Sequence, residues 1–245
     1  MLGREKEEIR RAIWDRLLEA GVARPPLPPH GRIPNFESAE KAALNIRRLK
    51  VWEEAEVVKI NPDSPQRPVR YGALLEGKKL LMPTPRIKRG FILLDPSLIP
   101  KSAFRFASTI RGAFIYGRIL DSISSLSQIG QVDLVVEGSV VVNRWGERLG
   151  KGEGYAELEF GILVDLGIMS REVTIITSVH ELQLVNYRLP QDPYDVPVDI
   201  ISTSVRVVRV NERPPRPKGI LWDLLPEKKI KEIPLLGELA RGRST

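Results

Sequence analysis

The apolar positions of the chain follow two spacings, one typical of helices and one typical of buried strands. Over residues 4–20 apolar side chains recur at helical spacing among Arg and Glu, which predicts an amphipathic helix. A connector with five prolines over 23–35 is expected to be extended rather than helical. A second helix is predicted over 38–49, where alanine, isoleucine and leucine share one face.

From residue 55 onward, apolar runs alternate with helical stretches. Strands are predicted at 55–60, 78–83, 90–96, 132–142, 173–179 and 198–210. Helices are predicted near 69–76, across 104–127 and over 155–167. Strands that are apolar along their whole length and separated by helices are typical of a mostly parallel sheet covered on both faces. We therefore expect a layered α/β fold.

The chain changes character after residue 210. We expect a single α/β domain over residues 1–210 and a Pro-rich basic C-terminal tail over 211–245. From Arg206 to the end, ten basic residues face five acidic ones, and prolines recur. The apolar side chains that suit docking of this tail are Ile220, Leu221, Trp222 and Leu225.

Composition narrows the classes of protein to which the chain can belong. With 245 residues, 42% hydrophobic and 28% charged, it can bury a core and is not broadly disordered. The absence of cysteine excludes disulfides, iron–sulfur clusters and cysteine nucleophiles. Two histidines are too few for a histidine-rich zinc site. The formal net charge of +7 suits anionic partners, such as nucleotides, polyanionic cofactors or nucleic acid.

The sequence carries no pattern of a membrane or export segment. Its first residues are charged and lack the apolar stretch of a signal peptide. No apolar run approaches the roughly 18 residues that cross a bilayer. We therefore expect a cytoplasmic protein without a membrane partner.

The most informative segment covers residues 140–159. A buried strand and a turn lead there into a glycine-rich loop, which is followed by a helix. Gly150, Gly152 and Gly154 allow a ligand to approach the backbone closely, and the amino terminus of the helix supplies free N–H donors. This arrangement is typical of phosphate binding.

Two cations strengthen that interpretation. Arg148 and Lys151 add positive charge to the same loop, as binding of a polyphosphate requires. A structural glycine-rich turn with solvated basic side chains has the same pattern, so this alternative stays open.

Other polar residues are weaker candidates. His180 ends a predicted strand, and ligands bind at the carboxyl ends of parallel strands, although a hydrogen-bonded structural role is an alternative. Glu157 and Asp199 are candidate Mg²⁺ ligands, because carboxylates near a polyphosphate hold this ion, and capping or surface roles are the alternatives. Lys6 and Arg10 share one helix face at i, i+4, either as ligand contacts or as a solvated basic stripe.

Segment 146–157 resembles the signature of the 5-formyltetrahydrofolate cyclo-ligase family, also called methenyltetrahydrofolate synthetases. That family has a G-x-R-L-G-x-G-x-G-Y-Y-D loop, and the sequence here is GERLGKGEGYAE. Lys6 and Arg10 resemble the ATP-binding Lys-x-x-x-Arg of the family's first helix, and residues 198–200 resemble its closing V-D-x-(V/I) strand. These three motifs occur in the same order as in the family, which indicates that the chain is a member of it.

The resemblance implies a Rossmann-like, three-layer α/β sandwich of the CoA-transferase type with a mostly parallel sheet. It implies that MgATP transfers its γ-phosphoryl group to the formyl oxygen of 5-formyltetrahydrofolate, after which ring closure gives 5,10-methenyltetrahydrofolate. ATP and Mg²⁺ are the implied cofactors, and a folate-like small molecule is the implied partner. Arg148, Lys151 and Tyr155 are the implied catalytic residues. The implied ATP-binding residues are Lys6, Arg10, Arg148, Gly150, Lys151, Gly152, Gly154 and Tyr155.

The sequence also departs from the family pattern. The second loop tyrosine is Ala156, the Mg²⁺-binding aspartate is Glu157, and the substrate-binding glutamate after the first strand has no counterpart in segment 61–66. The chain thereby resembles a divergent branch, the methenyltetrahydrofolate synthetase domain-containing proteins. Gln66 and His180 are the candidate substrate contacts. Two alternatives stay open: a paralogue that acts on a non-folate substrate, and a nucleic-acid-binding protein on the same fold.

Overall fold

The structure, a computed structural model, describes residues 2–243 of the chain. An eight-stranded sheet lies at the centre of this part. The strands in chain order are β1 (Ala23–Arg24), β2 (Asn35–Phe36), β3 (Val57–Ile60), β4 (Lys79–Pro83), β5 (Phe91–Leu94), β6 (Arg118–Leu120), β7 (Val132–Glu137), β8 (Val141–Asn143), β9 (Arg148–Leu149), β10 (Met169–Ser178), β11 (Leu184–Val185), β12 (Ile200–Ser202) and β13 (Val207–Arg209). The helices are α1 (Leu2–Glu19), α2 (Ala39–Arg47), α3 (Lys50–Glu54), α4 (Arg67–Leu75), α5 (Phe104–Ala107), α6 (Ile110–Tyr116), α7 (Ile123–Leu126), α8 (Tyr155–Asp165), α9 (Glu227–Glu232) and α10 (Pro234–Arg243).

The order of strands in the central sheet is β13-β12-β10-β7-β3-β4-β5-β6. The five strands from β12 to β4 run parallel. At one edge β13 pairs antiparallel with β12, and at the other β5 pairs antiparallel with β4 and β6 pairs antiparallel with β5. The order reverses between β3 and β7, because the chain proceeds from β3 to β4 on one side and later returns to β7 on the other. In open α/β sheets, ligands bind outside the carboxyl ends of the strands at such a reversal.

The two faces of the sheet carry separate apolar cores, so the expectation of a three-layer α/β fold with a mostly parallel sheet is confirmed. Val57 and Val135 pack with α8 and α10 on one face, and Val58 packs with α2 and α4 on the other. Neighbouring residues of a strand point to opposite faces. Lys59 and Glu137 therefore lie on the face that α8 covers.

Three predicted elements are wrong in extent. The helix predicted across 104–127 is broken into α5, α6, β6 and α7, because Gly117 ends α6 and the next residues pair with β5. The single strand predicted over 132–142 divides at Gly138 and Ser139 into β7 and β8, which belong to different sheets. A continuous apolar run does not reveal this division, since both strands are buried.

The strand predicted over 198–210 is also divided. It folds into β12 and β13, an antiparallel hairpin whose turn is closed by the Thr203 N–H group donating to the Arg206 carbonyl oxygen at 2.9 Å. β8 and β9 pair in a smaller three-stranded sheet together with β11, and β1 pairs with β2.

The segment after residue 210 packs onto the α8 face of the sheet. Ile233, Leu235 and Leu236 are buried there among the side chains of the main core, and Glu238 accepts a hydrogen bond from the Ile123 N–H group at 3.0 Å. The side chains named above for docking lie close to the same core: Ile220 is buried, and Trp222 and Leu225 are partly buried against it. Helices α9 and α10 thus share a core with the sheet.

We predict that Leu236→Ala lowers the free energy of unfolding by about 2–5 kcal/mol, because it removes a fully buried side chain from this core. Urea unfolding of the full chain measures the loss. Leu98→Ala is the matched control, since Leu98 is 80% exposed. An unchanged midpoint for Leu236→Ala would instead identify residues 211–245 as a tail that the domain does not need.

Candidate functional site

A β-hairpin delivers the glycine-rich loop to its position. β8 and β9 pair antiparallel and lead into residues 150–154, after which α8 begins. Asn143 holds the turn, because its Oδ1 accepts a hydrogen bond from the Glu147 N–H group at 3.1 Å. Gly152 and Gly154 have φ values of +93° and +70° in the loop, which L side chains rarely adopt. The predicted order of strand, turn, glycine loop and helix is confirmed.

Helix α1 places Arg10 against this loop. The Arg10 Nε–H group donates to the Gly150 carbonyl oxygen at 2.7 Å. A Cβ atom at Gly152 would lie only 3.2 Å from the Arg10 guanidinium carbon, so a larger residue would press on this side chain in addition to straining the backbone. Arg10 is buried although it lies on the first helix of the chain.

Lys6 lies one turn earlier on the same helix face and binds an acidic turn. Its Nζ is 2.6 Å from a carboxylate oxygen of Asp192 and 2.5 Å from one of Asp195. Burial alone would raise the pKa of Asp192, but hydrogen bonds from Lys6 and Tyr194 bring it below its ordinary value. These contacts hold the 192–195 turn against α1.

These elements enclose a first cavity of about 580 Å³. One side consists of Lys6, Arg10 and the glycine loop, and the acidic 192–195 turn adjoins it. The other side is contributed by residues 217–229, whose apolar side chains face the same space. The volume is in the range of small-molecule sites, which are commonly about 300–1,000 Å³.

A second cavity of about 390 Å³ lies at the carboxyl ends of β3 and β7, where the strand order reverses. Asn61 and Asp63 follow β3, Gly138 follows β7, and all three line this space together with Arg86 and Glu159. Burial raises the pKa of the Asp63 carboxyl, an effect that Lys151 and Arg70 only partly offset.

The glycine loop is the wall that the two cavities share. Gly150, Lys151, Glu153 and Glu157 line both of them. The Lys151 Nζ is 3.0 Å from a Glu153 carboxylate oxygen and 4.0 Å from one of Asp63. Burial alone would lower the pKa of Lys151, but Asp63 and Glu153 raise it, so the side chain is a cation at neutral pH.

Arg148 anchors this wall from behind. Its guanidinium donates to the carbonyl oxygens of Val196 (3.1 Å) and Gly138 (3.1 Å) and to the carboxylate of Glu157 (2.8 Å). Burial would lower the pKa of Arg148, but Glu157 and other carboxylates raise it. One buried cation thus joins the hairpin, the end of β7 and the first turn of α8.

A buried charge cluster, formed by Lys59, Glu137 and Glu159, lies beneath the second cavity. The Lys59 Nζ is 2.7 Å from Glu137 and 2.5 Å from Glu159. One ammonium balances only one of the two carboxylates. Burial, opposed by Lys59 and reinforced by Glu137, raises the pKa of Glu159 to about 7.

The structure brings most of the predicted ligand residues together at these cavities. The residues that line the first cavity are Lys6, Arg10, Gly150, Lys151, Gly152, Gly154 and Glu157. Arg148 and Tyr155 line the second cavity, which also includes Gly150, Lys151 and Glu157.

Three predicted residues lie outside both linings. Gln66 is buried behind Gly138 and donates to the Ser178 hydroxyl oxygen at 3.1 Å. His180 caps a short 3-10 turn by accepting from the Leu182 N–H group at 3.2 Å, and burial lowers its pKa.

Asp199 is likewise held by structural contacts. Its carboxylate binds Arg213 at 2.7 Å and Arg216 at 2.5 Å, and it accepts a hydrogen bond from the Ile175 N–H group at 2.7 Å. The residue directly precedes β12 and lies away from the carboxyl ends that border the second cavity.

Sequence reasoning missed two parts of the site. Lys59 is a lone charge in the apolar strand VVKI, and Glu159 lies in an apolar helix segment, so both were visible as breaks in a buried pattern. The second part is the wall formed by residues 217–229, and its leucines are the only feature of the sequence that indicates an apolar cavity wall there.

Within residues 2–243, no group of three or more histidine and carboxylate side chains is arranged to hold a metal ion. None of the helices in this range is both long and apolar enough to span a bilayer.

Comparison with known proteins identifies related sequences. A sequence model of the 5-formyltetrahydrofolate cyclo-ligase family matches residues 3–204. The methenyltetrahydrofolate synthase domain-containing proteins of Danio rerio and Homo sapiens are 36% and 37% identical, and each alignment covers 97% of this chain. The chain spans 62% of the length of both relatives.

A solved structure shares the fold. The NMR structure of Aquifex aeolicus 5,10-methenyltetrahydrofolate synthetase superposes with a TM-score of 0.54 at 20% sequence identity, covering 87% of this chain and 95% of that one. At this identity the similarity concerns the fold alone.

We predict that Glu159→Gln changes how stability depends on pH. Because the pKa of Glu159 is raised to about 7 from 4.5, the native protein binds its proton more tightly than the unfolded chain does. The wild type should therefore lose roughly 1–3 kcal/mol relative to the variant as the pH rises from about 4.5 to about 8.

Urea unfolding at several pH values measures this difference, with the exposed Glu54→Gln as control. A constant difference between wild type and Glu159→Gln across the range would contradict the raised pKa.

We predict that Asp199→Asn lowers the free energy of unfolding by about 1–3 kcal/mol, because it weakens ion pairs to two arginines, one of them with a fully buried side chain. Thermal unfolding without nucleotide or Mg²⁺ measures the effect. An unchanged midpoint, combined with loss of Mg²⁺-dependent nucleotide binding, would favour the metal-ligand role instead.

Proposed function

The chain belongs to the 5-formyltetrahydrofolate cyclo-ligase family, and from this premise we propose that it is an ATP-dependent ligase that converts 5-formyltetrahydrofolate to 5,10-methenyltetrahydrofolate. The observation that carries the proposal is the shared wall between two cavities. A phosphoryl-transfer enzyme must hold a donor and an acceptor on opposite sides of the transferred group. The glycine loop, with Lys151 facing both spaces, suits that requirement.

The first cavity is proposed to bind ATP. Lys6 and Arg10 supply positive charge, and the N–H groups of the loop and of the first turn of α8 supply donors for phosphate oxygens. The present partners of Lys6 are carboxylates, and those of Arg10 are the Gly150 carbonyl oxygen and the Glu7 carboxylate. A bound polyphosphate would compete for both cations.

The second cavity is proposed to hold the acceptor. The formyl oxygen attacks the γ-phosphorus, and the bond between the γ-phosphorus and the bridging oxygen of ADP breaks. N10 then attacks the formyl carbon and loses its proton, and the C–O bond breaks to release phosphate. Lys151 stabilises the charge on the transferred group, which is the main task of a protein in phosphoryl transfer. Arg148 acts as a positioning residue, because it fixes the loop through Glu157 and two carbonyl oxygens.

The side chains at the shared wall fit Mg²⁺ bound together with a nucleotide. This ion usually takes one or two carboxylates, with phosphate oxygens and water completing its shell, so a dedicated cluster of carboxylates is not required. Glu157 lines both cavities and is the proposed ligand, whereas Asp199 lines neither. When bound, the ion would neutralise charge on the phosphates.

The identity of the acceptor is the least constrained part of the proposal. Gln66 and His180 lie outside the lining of the second cavity, which instead presents Asp63 and Glu159 beside Arg32 and Arg86. A glutamylated folate supplies carboxylates for the arginines and N–H groups for the acids. A non-folate substrate with a formyl or carbonyl oxygen is the alternative that uses the same phosphoryl-transfer machinery.

Binding of nucleic acid has less support. Several cations that make the C-terminal segment basic are engaged in ion pairs, among them Arg206 with Glu181, Arg213 with Glu172, and Lys231 with Glu227. Their charge is therefore partly neutralised within the protein. The expected cytoplasmic location stays a prediction.

We predict that Lys151→Ala weakens ATP binding about tenfold or more and abolishes turnover, because it removes the cation at the shared wall. Calorimetry with MgATP measures the affinity, and the absorbance of 5,10-methenyltetrahydrofolate measures turnover. Lys101→Ala is the control, since Lys101 is exposed and lies outside both cavities.

Unchanged ATP affinity in Lys151→Ala would overturn the assignment of the loop. Wild-type protein that binds ATP but forms no methenyl product would favour the alternative acceptor.

A further inference from the structure

One wall of the first cavity lies outside the part of the chain that matches the family. The family match ends at residue 204, whereas Leu221, Leu224, Leu225 and Lys229 all line the cavity. This C-terminal wall, residues 217–229, is therefore an addition to the matched region. It faces the site that the proposed function assigns to ATP.

The C-terminal wall differs in chemistry from the opposite side. The loop and α1 contribute the backbone groups and cations of a phosphate site, but the C-terminal wall contributes mainly leucine and proline side chains. Leu224 is 55% exposed and Leu225 is partly buried. An exposed leucine that faces a cavity is unfavourable in water and becomes favourable when an apolar surface covers it. The cavity thus has one side suited to polyphosphate and another suited to a flat, weakly polar ring.

The C-terminal wall is fixed at both ends. At its start, the Ile220 N–H group donates to an Asp165 carboxylate oxygen of α8 at 3.3 Å. Beyond its end, Ile233 and Leu236 are buried in the core of the α8 face. The leucines are therefore presented by an anchored segment.

Lys229 connects the C-terminal wall to the glycine loop. Its ammonium donates to the Glu153 carbonyl oxygen at 2.7 Å and lies 3.4 Å from the centroid of the Tyr155 ring. A contact of this kind adds a cation–π attraction to a charge-assisted hydrogen bond. Lys229 therefore restrains the loop on the residues next to Lys151.

We propose that residues 217–229 complete the nucleotide site, with Leu221, Leu224 and Leu225 covering the purine base and Lys229 acting as a positioning residue for the glycine loop. The proposal rests on the proposed function, in that it assumes that the first cavity takes a nucleotide. It adds that affinity for the base comes from a segment beyond the matched family region, and that the same segment orders the phosphate loop.

The test separates the base from the phosphates by using two probes, ATP and inorganic tripolyphosphate, with calorimetry on the full chain. Leu224→Asn keeps the approximate size of the side chain, adds no charge and alters a largely exposed position. It should weaken ATP binding roughly three- to tenfold and leave tripolyphosphate binding unchanged. Leu98→Asn is the matched control, because Leu98 is 80% exposed and lies in neither cavity.

Lys229→Met should weaken binding of both probes by a similar factor, because the loop that it restrains contacts the phosphates. Lys229→Arg should restore most of the affinity, since arginine can also donate to a carbonyl oxygen and stack on a ring. Lys228→Met is the matched control, because the Lys228 side chain is 84% exposed and does not line the cavity.

Each outcome has a distinct meaning. Wild-type protein that binds neither probe would overturn the proposed function and this inference together. Wild-type binding of ATP that is unaffected by Leu224→Asn, or an equal loss for both probes in that variant, would overturn the base-binding role alone. Failure of Lys229→Arg to rescue Lys229→Met would overturn the positioning role.

Discussion

The arrangement of the site depends on the buried guanidinium of Arg148. Arginine offers several donors in a rigid plane, and here they reach a carbonyl oxygen after β7, a second one before β12 and a carboxylate in the first turn of α8. No single backbone element connects these three places. Because the same residue lies at the start of the glycine loop, the loop is fixed relative to the sheet edge and the helix at once. The division into two cavities follows, since the loop becomes a wall held on one side by this cation.

The buried charge cluster forms because alternate residues of a strand point to the same face of the sheet. Lys59 and Glu137 occupy positions on neighbouring strands that point to the α8 face, and Glu159 is carried there by the helix. Buried ion pairs rarely add stability over an apolar core of the same volume, so this cluster costs folding free energy that other burial must offset. Its effect is to place a carboxyl group with a raised pKa at the floor of the second cavity.

The sequence predicts the layered α/β fold and the glycine loop well, because both depend on local pattern. Periodicity defines α1, and the glycine spacing marks the loop before α8, where Gly152 and Gly154 adopt positive φ. The order of the strands in the sheet does not follow from local pattern, because it depends on which buried strands pair in space. His180 follows a strand, as the sequence predicts, but that strand is β10, whereas the reversal of strand order that creates a crevice lies between β3 and β7. Asp199 lies outside both cavities for a related reason: it directly precedes β12, where two arginines reach it.

Composition was least informative for the C-terminal segment. Counting its charges suggests a basic surface, but Arg216 is buried and bonds to backbone carbonyl oxygens as well as to Asp199, and Lys229 is committed to the glycine loop. Because these two cations are bonded to a carboxylate and to carbonyl oxygens of the protein, they do not form the open basic surface that the charge count suggests. The leucines of the segment carry more information than its cations, since they line the first cavity together with Lys6 and Arg10. A segment that looks like a basic tail in the sequence thus folds onto the core and supplies the apolar part of that cavity's lining.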